Sequence, residues 1–336
     1  MPSLYDILSP SFTRIEPSLR EYIEREGGNT MIYPNALKQG DTVMVIAPSG
    51  PPTPENVLKG VNVLKEMGLS VIIGKSVYGK YGYLAGSDQV RLDDIHEAFT
   101  NTEVKAVFCA RGGYGSARLL PYIQYEIIQQ NPKIFWGYSD ITALHTAFSR
   151  YAELVTFHGP MIEELGKGID SLSLSSFNQL FHPYSSILYA SECIVPNSPC
   201  TVTGTLVGGN LTVLTSIIGS PYEINTANKL LLLEDIGEEP YRIDRMLNQL
   251  LLSGQFNECS GVIFTSCHDC NPSKPSQSLQ TILYEYFTPY NIPVLFGLPI
   301  GHISPNIGIP LGATATINTN NKTVSISTGI ATPCSN

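Results

Sequence analysis

The sequence predicts an α/β protein built from two units that are joined by a connecting region. From Asp41 onwards, apolar stretches of strand type alternate with amphipathic stretches of helical period, and a similar alternation resumes after Pro199. Between Met161 and Pro199 the sequence becomes rich in serine and loses clear periodicity. Because strands that alternate with helices form parallel sheets with right-handed crossovers, we expect a parallel sheet in the first unit.

The first unit follows a polar extension of residues 1–36, in which a helix is expected around Ser18 to Glu26. Its predicted strands are TVMVIA, LSVIIG, VKAVFCA and KIFWGY, and its predicted helices are ENVLKGVNVLKEMG, DQVRLDDIHEAFTN, SARLLPYI and the segment after Ser139. In sheets of this type, ligands bind outside the carboxyl ends of the strands. Both RGGYG, residues 111–115, and Ser139 follow strands, so they can share one crevice.

The second unit continues the pattern to the end of the chain. Its predicted strands are TVTGTLVGGN, KLLLLED, GVIFTS and IPVLFGLP, and its predicted helices are LTVLTSIIG, EPYRIDRMLNQLLLSG and SLQTILYEYF. The alternation in TATINTNNKTVSIST, around an Asn-Asn pair, predicts a terminal hairpin.

Composition and charge narrow the class of partner. The 336 residues are 43% hydrophobic and 15% charged, as in a globular protein, and the net charge is −9. An acidic surface has no cations to offer nucleic acid or an anionic membrane, so a small-molecule or peptide ligand is favoured. No run approaches 18 apolar residues and the N-terminal sequence does not resemble a secretion signal, which predicts a cytoplasmic protein.

The seven cysteines do not indicate a disulfide framework, because their number is odd and they are scattered. One cluster, Cys267-His268-Asp269-Cys270, has the CxxC spacing of metal sites, but no second ligand pair accompanies it. We expect a loop with reduced thiols there, and no metal.

Ser139 lies where the predicted strand KIFWGY meets an amphipathic segment. Serine at such a corner commonly caps the helix that follows. Alternatively it is a nucleophile, in which case the start of the helix offers the Asp140 amide and its positive dipole to a developing negative charge.

The segment RGGYG places three glycines between a strand and a helix, which allows close approach of the backbone. Three interpretations stay open: a tight turn, an oxyanion hole, and a phosphate loop. The spacing matches neither the dinucleotide-binding pattern nor the P-loop.

A serine nucleophile requires a base, and the six histidines differ in suitability. His96 lies on a charged helix, His182 lies in the connecting region, and His145 shares an apolar helix face. His158 and His302 both follow strands, and spacing does not choose between them.

The acid that orients the base should be a carboxylate at a strand end. Glu234 and Asp235 end the strand KLLLLED. Each could instead cap the following helix, which is the expected role of Asp235.

Five blocks carry a resemblance to a known family. In order they are ARGGYGSARLLPYI, GYSDITALH with TFHGPM, GTLVGGNL, LLLEDIGEEPYRIDRML and FGLPIGH. Over about residues 37 to 328 the chain resembles the LD-carboxypeptidases and the related microcin C immunity peptidases. This resemblance implies a Rossmann-like nucleophile domain over 37–165, a linker over 166–199 and a smaller C-terminal α/β domain over 200–330.

The resemblance also implies roles for individual residues. Ser139 would be the nucleophile, His302 the base and Glu234 its orienting acid. The amides of Gly112 or Gly113, with that of Asp140, would form the oxyanion hole. His158 would be a neighbour that shapes the substrate pocket.

By the same resemblance, the substrate would be a cytoplasmic cell-wall tetrapeptide of the type L-Ala-D-Glu-diamino acid-D-Ala, cleaved without metal or cofactor by a homodimer. Arg111 and Arg118 flank the glycine loop and are candidates for binding the terminal carboxylate, or for structural ion pairs.

Two alternatives to this function remain. One is hydrolysis of microcin-like peptide nucleotides, although the only tryptophan, Trp136, lies in a strand and not in the linker, where Tyr184 or Tyr189 could replace it. The other is a non-catalytic nucleotide-binding protein with RGGYG as its phosphate loop.

Overall fold

The computed structural model describes residues 30–194 and 198–332, so the helix expected around Ser18 to Glu26 lies outside the described residues. The strands, in chain order, are β1 Thr42–Ile46, β2 Ser70–Ile73, β3 Val104–Cys109, β4 Ile134–Gly137, β5 Thr156–His158, β6 Ser186–Tyr189, β7 Glu192–Ile194, β8 Thr201–Asn210, β9 Lys229–Ile236, β10 Gly261–His268, β11 Val294–Phe296, β12 Ile309–Leu311, β13 Thr314–Asn318 and β14 Thr323–Ile326.

The α-helices alternate with these strands over most of the chain. They are α1 Pro54–Glu66, α2 Asp88–Thr100, α3 Tyr125–Gln130, α4 Thr142–Tyr151, α5 Ile162–Lys167, α6 Ser171–Ser175, α7 Leu211–Ser216, α8 Pro240–Leu252 and α9 Leu279–Phe287. Short 3₁₀ segments span Lys75–Tyr78, Ser116–Tyr122, Ser139–Ile141 and Ser176–Leu180.

The first sheet has six strands in the order β12-β5-β4-β3-β1-β2. Strands β2, β1, β3, β4 and β5 run parallel, as predicted, and β12 is antiparallel to β5. Because β3 and β4 are parallel neighbours, the segment RGGYG and Ser139 emerge side by side at the same edge. The predicted shared crevice is therefore present.

Both faces of this sheet are covered by apolar side chains, which explains its uninterrupted hydrophobic strands. In β1, Met44 and Ile46 join the core on one face, and Val43 and Val45 join the core on the other.

The second sheet has eight strands in the order β6-β14-β13-β8-β9-β10-β11-β7. Its centre, from β8 to β11, is parallel, and its flanks are antiparallel. Asn210 pairs with Glu234 where β8 and β9 end, so this edge also carries polar side chains. The chain is thus a mixed α/β protein with two sheets, in agreement with the predicted fold class.

Three local predictions have definite outcomes. The terminal hairpin is confirmed, since β13 and β14 pair antiparallel. The helix predicted for SARLLPYI is wrong, because Ser116–Tyr122 forms a 3₁₀ segment that contains Pro121. The segment predicted as a linker contributes β6 and β7 to the edges of the second sheet, and the domain boundaries themselves stay a prediction. No helix in the described part of the chain combines the length and apolar character of a membrane span.

Candidate active site

Ser139 lies at a sharp corner between β4 and α4. Its φ of 64° is in the left-handed region, which an ordinary side chain adopts only when its surroundings hold it there. It lies inside the 3₁₀ segment Ser139–Ile141 and is not the N-cap residue, which is Tyr138. The capping interpretation of Ser139 is therefore wrong.

His302 reaches the hydroxyl of Ser139 from the loop after β11. The distance between His302 Nε2 and Ser139 Oγ is 3.1 Å, and the distance between His302 Nδ1 and Glu234 Oε2 is 2.7 Å. The backbone amide of His302 also donates to Glu234 Oε2, at 3.2 Å. A serine, an imidazole and a carboxylate therefore stand in one hydrogen-bonded line.

Glu234 has no exposed surface, although it carries a carboxylate. Burial alone would raise its pKa, but the hydrogen bond and positive charge of His302 outweigh this, and the net pKa is lowered. For His302, burial alone would lower the pKa, yet the hydrogen bond and charge of Glu234 raise it above 6.5. Each group thus stabilises the charged form of the other.

Tyr138 and Glu164 extend this arrangement behind the imidazole. The ring centroids of Tyr138 and His302 are 4.8 Å apart, and the Tyr138 hydroxyl donates to Glu164 Oε1 at 2.8 Å. Burial raises the pKa of both Tyr138 and Glu164. Tyr138 therefore stays a neutral donor at neutral pH and fixes one wall beside the His302 imidazole.

The glycine loop lies directly against the serine. A methyl group on Gly112 would be 2.9 Å from Ser139 Cβ and 3.1 Å from its Oγ, so only glycine fits. Gly113 has a φ of 108°. The Asp140 carboxylate accepts from the Ser116 amide at 2.9 Å, which ties the far side of the loop to the residue after the serine. The glycine loop thus borders the Ser139 hydroxyl, where the donors of an oxyanion hole would have to lie.

Comparison with known proteins identifies the family. The family profile described as the LD-carboxypeptidase N-terminal domain matches residues 43–159, and that of the LD-carboxypeptidase C-terminal domain matches residues 203–317. The chain belongs to the LD-carboxypeptidase family. It is accordingly a peptidase, and therefore a hydrolase, and the predicted resemblance is confirmed.

Individual relatives of this LD-carboxypeptidase match over most of their length. The "Probable murein peptide carboxypeptidase" of Bacillus subtilis (strain 168) is 46% identical over 304 residues, which are 89% of this chain and 95% of that protein. The murein tetrapeptide carboxypeptidase of Pseudomonas aeruginosa is 33% identical over 289 residues, covering 83% and 93%. The solved structure of the microcin C7 self-immunity protein MccF in complex with aspartyl sulfamoyl adenosine gives a TM-score of 0.80 at 27% identity, covering 89% of this chain and 100% of that chain.

The two candidate arginines of this LD-carboxypeptidase differ in their partners. Arg118 is held by Asp88, with its Nε 3.0 Å from Oδ1 and its Nη2 2.6 Å from Oδ2. Arg111 is half exposed, donates to the Pro51 carbonyl at 3.1 Å and lies 3.8 Å from Glu163. Of the two roles that the sequence left open, Arg118 therefore has a structural ion pair, with Asp88. Arg111 is held more weakly by its partners.

His158 and His145 are both fully enclosed. His145 bonds to Thr156 Oγ1 at 2.9 Å and the Gly137 carbonyl at 2.8 Å, which confirms it as a core histidine. His158 has no exposed surface, and neither of its ring nitrogens has a hydrogen-bond partner in the described part of the chain. Burial lowers its pKa to about 4. Its ring lies against Tyr138, 5.5 Å between centroids, so His158 lies behind the pocket wall in this structure.

Two expectations about polar loops are corrected by the structure. Cys267 and Cys270 form a disulfide instead of a pair of reduced thiols. No group of three or more metal-binding side chains occurs among residues 30–194 and 198–332. Asp235 does not cap the helix after it, because its carboxylate accepts from Thr212, at the start of α7, and from Asn210.

Sequence reasoning missed Glu164 and Gly301. Gly301 has a φ of 95°, and a methyl group there would lie 2.6 Å from Glu234 Oε2. The signal for Gly301 is its place in FGLPIGH, directly before the histidine. Glu164 gives no such signal, since its contact with Tyr138 joins residues 26 positions apart.

Proposed function

We propose that this LD-carboxypeptidase is a serine enzyme that releases the C-terminal D-amino acid from murein tetrapeptides. The observation that carries the proposal is the line from Ser139 Oγ through His302 to the buried Glu234, with contacts of 3.1 and 2.7 Å. Serine hydrolysis requires such a nucleophile, base and orienting acid.

The chemistry follows from these positions. His302 Nε2 accepts the proton of Ser139 as Oγ attacks the carbonyl carbon of the residue before the terminal D-residue. Glu234 accepts a hydrogen bond from Nδ1, which holds the tautomer with a free Nε2 and stabilises the imidazolium. The imidazolium then gives its proton to the leaving amine. Water, activated by the same imidazole, attacks the acyl group and regenerates the serine hydroxyl.

The oxyanion of the tetrahedral intermediate needs donors beside the serine. The amides of Gly112 or Gly113, together with that of Asp140, are our candidates, because Gly112 packs against the Ser139 side chain. Loss of one such donor typically costs about 2.7–4 kcal/mol of transition-state stabilisation.

The terminal carboxylate of the substrate needs a cation, and Arg111 is the better candidate. Its side chain is 50% exposed and its ion pair with Glu163 is long, at 3.8 Å. The Nε and Nη2 edge of the Arg118 guanidinium is bonded to the Asp88 carboxylate. A substrate carboxylate would therefore replace only a long ion pair at Arg111, whereas at Arg118 it would compete with the short contacts of Asp88.

The murein substrate is supported by the names of relatives at 46% and 33% identity. The alternative is hydrolysis of a peptide nucleotide, supported by the likeness to MccF at 27% identity. Trp136 is fully buried and therefore cannot stack on a nucleotide base, whereas Tyr189 is 71% exposed. A cytoplasmic location and a homodimer belong to the same proposal and are supported by the family resemblance.

One assay tests the function. Release of D-alanine from L-Ala-D-Glu-diamino acid-D-Ala is followed by chromatography for the wild type, Ser139→Ala and Ser216→Ala. We expect Ser139→Ala to lose about 10⁴-fold or more in kcat. Ser216 is exposed on α7, so its variant should keep the wild-type rate. A peptide nucleotide offered to the same preparation separates the alternative, and equal rates for Ser139→Ala and wild type would contradict the serine mechanism.

A further inference from the structure

A second carboxylate, that of Glu164 on α5, is linked to His302 by a tyrosine. Glu164 is partly buried, and its Oε1 accepts a hydrogen bond from the Tyr138 hydroxyl at 2.8 Å. The Tyr138 ring in turn contacts the His302 imidazole, with centroids 4.8 Å apart and planes inclined by 49°. Tyr138 directly precedes Ser139 in the chain. A line of contacts therefore runs from Glu164 through Tyr138 to His302, in addition to the contact between His302 and Glu234.

Helix capping accounts for only one of the two oxygens of Glu164. Its Oε2 accepts from the Met161 amide at 2.8 Å, which is the usual contact of a glutamate at the third position of a helix with the residue before the helix. Its Oε1 accepts from Tyr138, whose pKa is raised by burial so that the phenol keeps its proton. Two donors thus meet the carboxylate, and an ionised carboxylate is a pure acceptor.

The segment that carries Glu164 is also attached to the glycine loop. The Glu163 amide donates to the Ala110 carbonyl at 3.0 Å, directly before RGGYG. A methyl group on Gly112 would lie 3.4 Å from Met161 Cε, so the residue before α5 packs close to this loop. The start of α5 is therefore fixed relative to the loop beside Ser139, and Glu164 meets the Tyr138 hydroxyl from a defined place.

Ionisable groups from several elements act on His302. They are Glu234 and Asp235 from β9, His158 from β5, Glu164 from α5, and Tyr138 from the corner before Ser139. Burial lowers the pKa of His302, but the three carboxylates outweigh it and the net pKa is raised. His158 is uncharged at neutral pH, since burial lowers its pKa to about 4. Glu164 therefore favours the same charged form of His302 as Glu234 does.

We propose that Glu164, acting through the Tyr138 hydroxyl, holds the Tyr138 ring against His302 and stabilises the imidazolium that forms when Nε2 takes the proton of Ser139. A phenol that donates to a carboxylate has a more negative ring, and an aromatic ring within about 6 Å attracts a cation. Tyr138 and Glu164 are thus positioning residues that act through His302. The inference rests on the proposed function, which supplies the serine mechanism.

The test measures the pKa of His302 directly, so it does not depend on a substrate. Protein labelled with ¹³C at histidine Cε1 is titrated by NMR, and the signal of His302 among the six histidines is identified by its loss in His302→Gln. Glu164→Gln removes the negative charge, and we expect the His302 pKa to fall by about 0.5 or more. Tyr138→Phe keeps the ring and removes the hydroxyl, so a smaller fall in the same direction is expected.

Turnover gives the second readout. D-alanine release from L-Ala-D-Glu-diamino acid-D-Ala is followed for wild type, Glu164→Gln and Tyr138→Phe. Each variant should lose about tenfold in kcat, the size of one hydrogen bond to a charged group. KM should stay within about twofold, because the imidazolium forms only after the substrate is bound.

A second pair of a tyrosine and a carboxylate provides the matched control. The Tyr286 hydroxyl, on α9, donates to Asp244 Oδ1, on α8, at 2.5 Å. Tyr286→Phe and Asp244→Asn remove the same chemical groups as the two test variants, and both should leave the His302 pKa and kcat unchanged. Circular dichroism and thermal denaturation verify that each variant is folded. If Tyr138→Phe does not fold, Glu164→Gln decides the comparison.

Three results would overturn the inference: a His302 pKa in Glu164→Gln that equals the wild-type value, a fall of the same size in Asp244→Asn, or an undiminished kcat in Glu164→Gln. A fall in the pKa that is confined to Glu164→Gln, with folded Tyr138→Phe unchanged, would overturn the role of the tyrosine. Failure of the proposed function gives a different signature, since wild type would then release no D-alanine, while the NMR titrations still decide whether Glu164 stabilises the charged imidazole.

Discussion

Gly301→Ala should disable the enzyme without replacing any of the three side chains of the proposed triad. The new methyl group would lie 2.6 Å from Glu234 Oε2, 2.8 Å from Cγ and 2.9 Å from Cδ. The first of these distances is 0.8 Å short of the 3.4 Å at which ordinary contacts begin. Because Glu234 is fully buried, the carboxylate and the loop that carries His302 have to move apart.

The magnitude follows from what this movement breaks. Glu234 Oε2 accepts from His302 Nδ1 at 2.7 Å and from its backbone amide at 3.2 Å, and both contacts lengthen when the groups separate. A misplacement of about 1 Å costs about 10²-fold in rate. Left-handed backbone at a residue with a side chain costs about 1–2 kcal/mol of stability in addition.

The assay compares kcat for D-alanine release with the melting temperature of each variant. Gly219→Ala is the matched control, because Gly219 has a similar φ of 81° and a methyl group there would meet nothing within 4 Å. Both variants should lose similar stability, and only Gly301→Ala should lose about 10²-fold in kcat. If the two variants keep the same kcat, the orienting role of the Glu234 contact is refuted.

Three further predictions use the charges around the site. Glu234→Gln removes the negative charge that raises the pKa of His302, so the acidic limb of the kcat/KM profile should move to lower pH. The plateau of the profile should fall about 10⁴-fold. An acidic limb that stays in place would contradict the effect of Glu234 on the His302 pKa. His158→Phe should keep KM within about twofold and leave thermal stability equal or higher, because the ring is enclosed and its nitrogens have no hydrogen-bond partner in the described part of the chain. A large rise in KM would instead show that His158 contacts the substrate directly. For Asp88, burial alone would raise the pKa, but the hydrogen bond and charges of its arginine partners lower the pKa below 3.8. The ion pair of Asp88 therefore contributes its full stability above pH 3.8, and this stability is lost as the pH falls through the folded-state pKa. Asp88→Asn should therefore lower the melting temperature at pH 7, and the difference from wild type should shrink in more acidic buffer; a difference that stays constant with pH would contradict the ion pair.

Local sequence patterns predicted the parts of the fold that local forces determine. The strand KIFWGY ends in Gly-Tyr-Ser-Asp, and the periodicity after it correctly predicted a helix. The same reasoning was wrong for Asp235, because its partner Thr212 comes from another strand–helix junction and not from the helix that follows. It also left His158 and His302 equivalent, since each follows a strand.

What separates these two histidines is tertiary position. His158 ends β5, where it pairs with Gly137 and Ile309 and is covered on both sides by neighbouring strands. His302 lies in a loop, and its side chain is 15% exposed, so it can face both Ser139 and a substrate. No periodicity in the sequence encodes that difference. The family resemblance indicated His302, and the geometry agrees.

The hydrogen-bonded line from Ser139 through His302 to Glu234 crosses from one sheet to the other, so its geometry depends on how the sheets meet. The contact is short and direct at one point: the Asn210 amide donates to Thr142 Oγ1 at 3.0 Å. Thr142 begins α4, three residues after Ser139, and Asn210 pairs with Glu234 across β8 and β9. A methyl group on Gly209 would lie 2.5 Å from Thr142 Oγ1, so glycine is required for this close approach. Ser139 and Glu234 are therefore connected through residues 139–142, the hydrogen bond between Asn210 and Thr142, and the pairing of β8 with β9, which explains how separate sheets can hold a hydrogen-bonded line between them.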